Sequence, residues 1–315
     1  MSTRGRSWMA FNRRSAAFTA FLASAGVCVS AQTTFQFVVS ATDSSGAPVT
    51  DLRTEDVVML ENGVKQQVVK VEPLAVPMKL TIAVDNGIDT PDAIDIFRTG
   101  LGGLIEALPP DVEVTLIATA PQPRTVVKPT TDREQILKGL KNFAPERAAP
   151  RFTDTLVEYS QRLQRESKDR NATPYLPVMV MVSTGTNEAT TYQPKDIEKA
   201  VGALVANRAK LNVVLVSTRT GDVAAATHLK SSMQGIVSAT AVRATNGRYE
   251  EVAVPARLAT LLPEWGRDLA TLQLRQTKQF RVTVERSRGG DLQNPRIELA
   301  RPGLTGAVTR DGYLP

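Results

Sequence analysis

Residues 80–89 read LTIAVDNGID, a short apolar strand that ends abruptly in a carboxylate, a turn and a second carboxylate. In open parallel sheets, ligands bind at the carboxyl ends of the strands. Asp85 directly follows the apolar run and Asp89 comes four positions later. This stretch therefore predicts an α/β fold with a candidate ligand site after the strand.

Two later apolar runs also end in hydroxyl residues. Residues 178–182 read VMVMV and are followed by STGT, and residues 211–216 read LNVVLV and are followed by Ser217. Residues 151–155, RFTDT, open a predicted helix earlier in the chain. Parallel strands place their carboxyl ends at one edge of a sheet, so we expect these polar groups in one crevice with Asp85.

Between about residues 78 and 277, strand patterns alternate with helical patterns. The core strands are continuously apolar, which is typical of strands that are covered on both faces. Right-handed crossovers then predict a doubly wound, mostly parallel, Rossmann-like sheet. The predicted strands are 79–84, 112–118, 124–127, 177–182, 211–216 and 248–253, and the predicted helices are 92–108, 132–143, 153–167, 195–209, 222–233 and 256–274.

Both ends of the chain carry shorter strand patterns. Asn62-Gly63 is a strong hairpin signal because both residue types tolerate positive φ. Neither end has enough strands to fold alone with confidence, so we predict one small antiparallel, sandwich-like β module formed by both termini. Its predicted strands are 35–39, 57–61 and 64–71 from the amino end, with 280–285, 296–299 and the closing residues 310–313 from the carboxyl end.

These motifs resemble the von Willebrand factor A domain, specifically the VWFA-related family of secreted bacterial proteins first noted in acidobacteria. Three end motifs extend the resemblance over nearly the whole mature chain: GAPVTDL at residues 46–52, ENG at 61–63 and RDGY at 310–313. The resemblance implies a domain that binds proteins. In that family a D-x-S-x-S strand end, a loop Thr and a later T-D-G hold a divalent cation.

The resemblance implies a ligand-binding crevice formed by five residues: Asp85, Asp89, Thr153, Thr184 and Asn187. The metal residues among them would be Asp85, Asp89 and Thr153. However, Gly87 replaces an expected hydroxyl and Thr184 stands where an Asp is expected. We therefore expect a degenerate adhesion site with no cofactor, and Mg²⁺ is the alternative.

A simpler interpretation gives the same residues structural roles. Asp85 would accept backbone N–H bonds in its loop, Asp89 would help to start the next helix together with Asp92, and Thr153 would cap helix 153–167. We favour this interpretation, in which any ligand is a protein that docks on the crevice.

Enzymatic chemistry is not supported by the sequence. His228 is the only histidine, and no G-x-S-x-G elbow follows a strand, so a hydrolytic triad is not expected. The glycine-rich run at residues 100–103 lies inside a helical pattern rather than after a strand, which favours helix–sheet packing over phosphate binding.

Residues 1–31 read as a secretory signal, with arginines, then an apolar run over residues 16–29, then a small-residue cleavage site ending at Ala31. That run is shorter than the roughly 20 residues of a spanning helix, so no retained transmembrane segment is expected. Cleavage would remove Cys28, the only cysteine, and four arginines, leaving 34 basic residues against 32 acidic ones. This balance does not favour nucleic-acid binding.

We accordingly predict the following organisation: signal peptide 1–31, N-terminal β segment 32–77, vWA-like domain 78–277 and C-terminal β segment 278–315. The predicted protein is secreted, periplasmic or held in the cell envelope, and it is non-enzymatic. It would bind a protein partner that the sequence does not identify. The alternative is a cation-dependent binding protein or a metal-dependent enzyme that uses Asp85 and Asp89.

Overall fold

The computed structural model describes residues 33–169, 171, 173–186, 188–217, 232–286 and 292–314. Their strands are β1 Thr33–Thr42, β2 Val57–Glu61, β3 Val64–Leu74, β4 Met78–Val84, β5 Glu113–Ala118, β6 Arg124–Thr130, β7 Leu176–Ser183, β8 Lys210–Val216, β9 Tyr249–Val252, β10 Gln279–Arg286, β11 Pro295–Leu299 and β12 Thr305–Thr309. The α-helices are α1 Ile94–Ala107, α2 Arg133–Lys141, α3 Phe152–Glu166, α4 Pro194–Ala206, α5 Met233–Ala244 and α6 Leu258–Thr277. Thr54–Asp56 and Pro255–Arg257 are 3₁₀ turns.

An α/β unit occupies the middle of the chain. Its sheet has the strand order β6-β5-β4-β7-β8-β9, in which β6 is antiparallel and the other five strands are parallel. One face packs against α1, α2 and α6, and the other face packs against α3, α4 and α5. All eight residues of β7 are buried, as expected for a central strand covered on both faces.

The second sheet is antiparallel and has the order β11-β2-β3-β10-β1-β12. Strands from both ends of the described chain meet in it, because β10 lies between β1 and β3. Asn62 and Gly63 connect β2 to β3 with φ values of 49° and 80°, as the predicted hairpin requires. The structure corrects the sandwich-like prediction, since one sheet curls around a single apolar core.

Two other sequence predictions need correction. The closing strand is Thr305–Thr309, and residues 310–312 form a bend in which Gly312 has a φ of 84°. Helix α5 was not predicted, because β-branched and small residues weaken its helical signal. Residues 222–231 of the helix predicted at 222–233, with His228 among them, lie outside the described residues.

The predicted helix starts differ in their outcome. Asp132 caps α2 by accepting a 3.1 Å bond from Gln135 N, and Pro194 is the first residue of α4, in agreement with the helices predicted from residues 132 and 195. Helix α3 begins at Phe152 after Arg151, so Thr153 lies inside its first turn and is not its cap. Helix α1 begins after Ala93 without any side-chain cap, so neither Asp89 nor Asp92 caps it.

Helices α1 and α6 approach each other closely at glycines. A Cβ on Gly100 would lie 2.7 Å from Leu258 O, and a Cβ on Gly266 would lie 2.6 Å from Leu104 O. The glycine-rich run at residues 100–103 therefore serves helix–helix packing. The expectation of helix–sheet packing was wrong because Leu101 and Phe97, not the glycines, belong to the apolar core beneath α1.

Two glycines on this helix provide a matched pair of substitutions. Gly100→Ala should lower the free energy of unfolding by about 1–3 kcal/mol, because the new methyl group meets backbone atoms of α6. Gly102→Ala meets no atom within 4 Å, so it should raise that free energy by up to about 1 kcal/mol through helix propensity. Urea unfolding measures both values. Equal effects of the two substitutions would contradict the proposed close crossing.

Candidate functional site

Asp85 lies at the carboxyl end of β4 and is 1 % exposed. Its Oδ1 accepts a bond from Gly87 N at 2.8 Å. Its Oδ2 accepts bonds from Ser183 Oγ at 2.8 Å, Thr184 Oγ1 at 2.9 Å and Thr184 N at 3.2 Å. Groups of the protein therefore contact both carboxylate oxygens of Asp85, one at Oδ1 and three at Oδ2.

The polar network continues from Asp85 toward α5. Ser183 Oγ also lies 2.6 Å from Oε1 of Gln234, which is fully buried in the first turn of α5. Gln234 Nε2 in turn donates to Thr186 O at 3.2 Å, and Thr186 Oγ1 lies 2.9 Å from Thr184 Oγ1. The network thus joins the ends of β4 and β7 to the start of α5.

Residues 144–150, which we call the cover segment, lie over the loop that follows Asp85. Asn86 Nδ2 donates to Ala144 O at 3.1 Å, and Ile88 N donates to Ala148 O at 2.9 Å. A Cβ on Gly87 would lie 2.7 Å from Pro150 Cδ and 3.0 Å from Ala148 O. No side chain therefore fits at position 87 while the cover segment lies against Gly87.

Thr153 is completely buried and binds an acid from the loop after β7. Its N and Oγ1 donate to Glu188 Oε2 at 2.9 Å and Oε1 at 2.5 Å. Burial raises the pKa of Glu188 above its ordinary value, although the two hydrogen bonds from Thr153 act in the opposite direction. Glu188 thus satisfies donors of the first turn of α3 from outside the helix.

Asp154, the next residue of α3, holds the same loop. Its carboxylate accepts bonds from Thr190 Oγ1 at 2.7 Å, Thr191 N at 3.1 Å, Thr191 Oγ1 at 3.2 Å and an Arg151 guanidinium nitrogen at 2.9 Å. Burial alone would raise the pKa of Asp154, but these hydrogen bonds outweigh burial and keep the pKa below its ordinary value. Residues 188–191 are therefore tied to α3 by two carboxylates.

Of the five residues predicted to form the crevice, Asp85 and Thr184 are in direct contact. Thr153 contacts Glu188, and Asp89 is exposed on the loop before α1. Asn187 lies outside the described residues. Within the described ranges, no group of three or more His, Cys, Asp and Glu side chains is placed to hold a metal ion.

Large apolar side chains are exposed at this same edge of the sheet. Ile88 follows β4, Met233 and Ile236 lie in the first turn of α5, and Val254 follows β9. These four side chains are between 48 and 64 % exposed. We call them the apolar rim, since they occupy loops and a helix start at the carboxyl ends of the parallel strands.

Solved structures similar to this chain include von Willebrand factor type A proteins. One from Catenulispora acidiphila is 10 % identical, with 89 % of this chain and 74 % of that chain covered and a TM-score of 0.49. The conserved hypothetical protein BatB from Bacteroides thetaiotaomicron is 12 % identical, with coverages of 60 % and 98 % and a TM-score of 0.44. The vWF domain of the type V pili tip protein Mfa5 from Porphyromonas gingivalis is 10 % identical, with coverages of 62 % and 96 % and a TM-score of 0.42.

No protein-family model and no curated protein matches the chain. None of the helices in the described ranges has the length and apolar composition that crossing a bilayer requires.

Sequence reasoning missed several residues that organise this edge, notably Gln234, Glu188 and Asp154. Neither Glu188 nor Asp154 directly follows an apolar strand, so the strand-end pattern did not single them out. Gln234 is separated from Ser183 by 51 positions. The available signal was the hydroxyl-rich loop at residues 183–191, which contains one serine and four threonines as donors for nearby carboxylates.

Proposed function

We propose that this chain is an exported, non-enzymatic, protein-binding domain of the von Willebrand factor A type, with a degenerate metal site and metal-independent binding. The apolar rim is the observation that carries the proposal. Four large apolar side chains exposed at one edge of the sheet favour an interaction site there. In open α/β sheets, this edge is also where ligands bind.

The arrangement of the crevice supports metal-independent binding. Mg²⁺ requires near-octahedral oxygen coordination, usually by one or two carboxylates and several waters. Both carboxylate oxygens of Asp85 contact groups of the protein, and the cover segment fills the space of a side chain at position 87. The hydroxyls of Thr184 and Thr153 donate to carboxylates of this chain. These residues do not fit the cation site of the resembling family.

Capture of partner proteins from an envelope extract tests the proposal. A chain beginning at Gln32 would be immobilised, and Ile88→Asp and Ile236→Asp would be compared with the parent. We expect each substitution to reduce recovery of the captured partner at least about tenfold, because central apolar anchors dominate interface energetics. Recovery by the parent should be the same in Mg²⁺ and in EDTA.

Val205→Asp is the matched control for these substitutions. Val205 is 41 % exposed near the end of α4, at the opposite edge of the sheet, so its replacement should leave capture unchanged. Val64→Asp tests the β module, where Val64 is 64 % exposed. If Val64→Asp abolishes capture while both rim variants still capture the partner, the binding site lies on the β module and the proposal is wrong.

A further inference from the structure

Two short connections join the β module to the α/β unit. Residues 75–77 lead from β3 into β4, and Lys278 alone separates α6 from β10. Val76 N donates to Gln276 O at 3.0 Å, so the two connections lie side by side. Units joined in this way are expected to move relative to each other unless further contacts hold them together.

Residues 310–314, which we call the strap, follow β12 and lie against both units. On the side of the β module, a Cβ on Gly312 would lie 3.4 Å from side-chain atoms of Leu74 and Val76. Gly312 O accepts a bond at 2.8 Å from Nε2 of Gln279, the first residue of β10. Gly312 is buried and has a φ of 84°, so the chain bends here without a side chain that would be strained.

The next residues of the strap pack on the α/β unit. Tyr313 is partly buried against the apolar core beneath α1 and α6, and Leu314 is 3 % exposed. Burial raises the pKa of Tyr313 above its ordinary value, and the carboxylate of Asp311 acts in the same direction. The strap therefore lies against apolar groups on both sides of the junction.

Arg208, between α4 and β8, forms an ion pair with the strap. Its guanidinium lies 2.8 Å from the carboxylate of Asp311. Arg208 has a φ of 57°, although the left-handed position after a helix usually holds glycine or asparagine. Both side chains of the pair are partly exposed, so we expect the pair to add little stability by itself and to direct the strap to its place.

We propose that the strap is a latch that fixes the β module against the α/β unit, and that its release lets the two units move about residues 75–77 and Lys278. Each unit has an apolar core of its own, so release does not require either unit to unfold. The strap contacts residues that precede β4 and β8, at the opposite edge of the α/β sheet from the apolar rim. The rim therefore stays intact in both arrangements.

The distance between two spin labels, one on each unit, tests this proposal. Val64→Cys on β3 and Val205→Cys on α4 place the labels at exposed positions. The chain beginning at Gln32 has no other cysteine, since Cys28 precedes it. The labelled parent should give one narrow distance distribution. A labelled chain that ends at Thr309 should give a distribution at least about twice as broad, because the units then move about their connections.

Tyr313→Ala repeats the test with the strap present, and Arg310→Ala is its matched control because Arg310 is an exposed residue of the strap. We expect Tyr313→Ala to broaden the distribution and Arg310→Ala to leave it unchanged. A distribution that stays as narrow without residues 310–315 as in the parent would overturn the proposal. If the shortened chain does not fold, equal widths for Tyr313→Ala and Arg310→Ala would overturn it.

Discussion

Replacing Asp85 with alanine is expected to lower the free energy of unfolding by about 3 kcal/mol or more. The substitution leaves the buried N–H groups of Gly87 and Thr184 without their acceptor. The hydroxyls of Ser183 and Thr184 each lose one of two neighbouring oxygens. Each unsatisfied buried group costs about 1–3 kcal/mol, and partial relaxation offsets some of the total. Chemical unfolding followed by circular dichroism measures the loss.

Asp89→Ala is the control for this prediction, because Asp89 lies on the same loop and is exposed. Its effect should stay within about 0.5 kcal/mol, as for most surface substitutions. If Asp85→Ala were as mild as Asp89→Ala, Asp85 would not be the structural anchor of the crevice.

Asp154→Ala should lower the free energy of unfolding by about 2–4 kcal/mol. It removes the acceptor for Thr190, Thr191 and the partly buried Arg151, which together hold the loop after β7 against α3. In this variant, the backbone amides of residues 188–193 should exchange hydrogen faster than those elsewhere in the α/β unit. Uniform protection across that unit would mean that the loop is held by other contacts.

The carboxylates of Asp154 and Glu188 should make the free energy of unfolding depend on pH in opposite directions. The pKa of Asp154 is below its ordinary value of 3.8, so its stabilising contribution is present above that value and is lost as the pH falls through the folded-state pKa. The pKa of Glu188 is raised from 4.5, so its contribution is present below that value and is lost as the pH rises through the folded-state pKa. In Asp154→Asn, the free energy of unfolding should therefore fall less than in the parent as the pH is lowered into the acid range.

Glu188→Gln tests the opposite pH dependence predicted for Glu188. It keeps an acceptor for Thr153 and removes the cost of a buried charge, so its stability relative to the parent should improve between pH 4.5 and neutral pH. A relative stability that worsens over this interval would show that the ionised carboxylate is favoured in the folded state.

The α/β strands were predictable because a strand that is buried on both faces is a continuous run of apolar residues. The buried runs of β4, β7 and β8 can be recognised without knowledge of their neighbours. The position of Asp85 at the end of β4 follows from the same run. Helix α5 could not be recognised in this way, because Gln234 is buried there and Met233 and Ile236 are exposed. That reverses the usual correspondence between polarity and exposure.

The contacts within the candidate site were less predictable than its location. The cover segment reaches Gly87 from about 60 positions along the chain, and only tertiary structure shows that Pro150 fills the space beside it. Glu188 binds Thr153 because its loop folds back over α3, which no periodic pattern predicts. Resemblance to a family suggests such positions, but it does not tell from which groups an acidic side chain will accept hydrogen bonds.

The most direct test of whether Asp85 binds a cation is the melting temperature of the chain beginning at Gln32 in EDTA and in saturating Mg²⁺, Mn²⁺ or Ca²⁺. A cation bound by the folded state alone stabilises that state by RT ln(1 + [L]/Kd). Because both oxygens of Asp85 contact groups of the protein and no second carboxylate lies beside them among the described residues, we predict the same melting temperature in every solution. A dose-dependent rise that Asp85→Asn abolishes would show that Asp85 binds a cation and would contradict metal-independent binding.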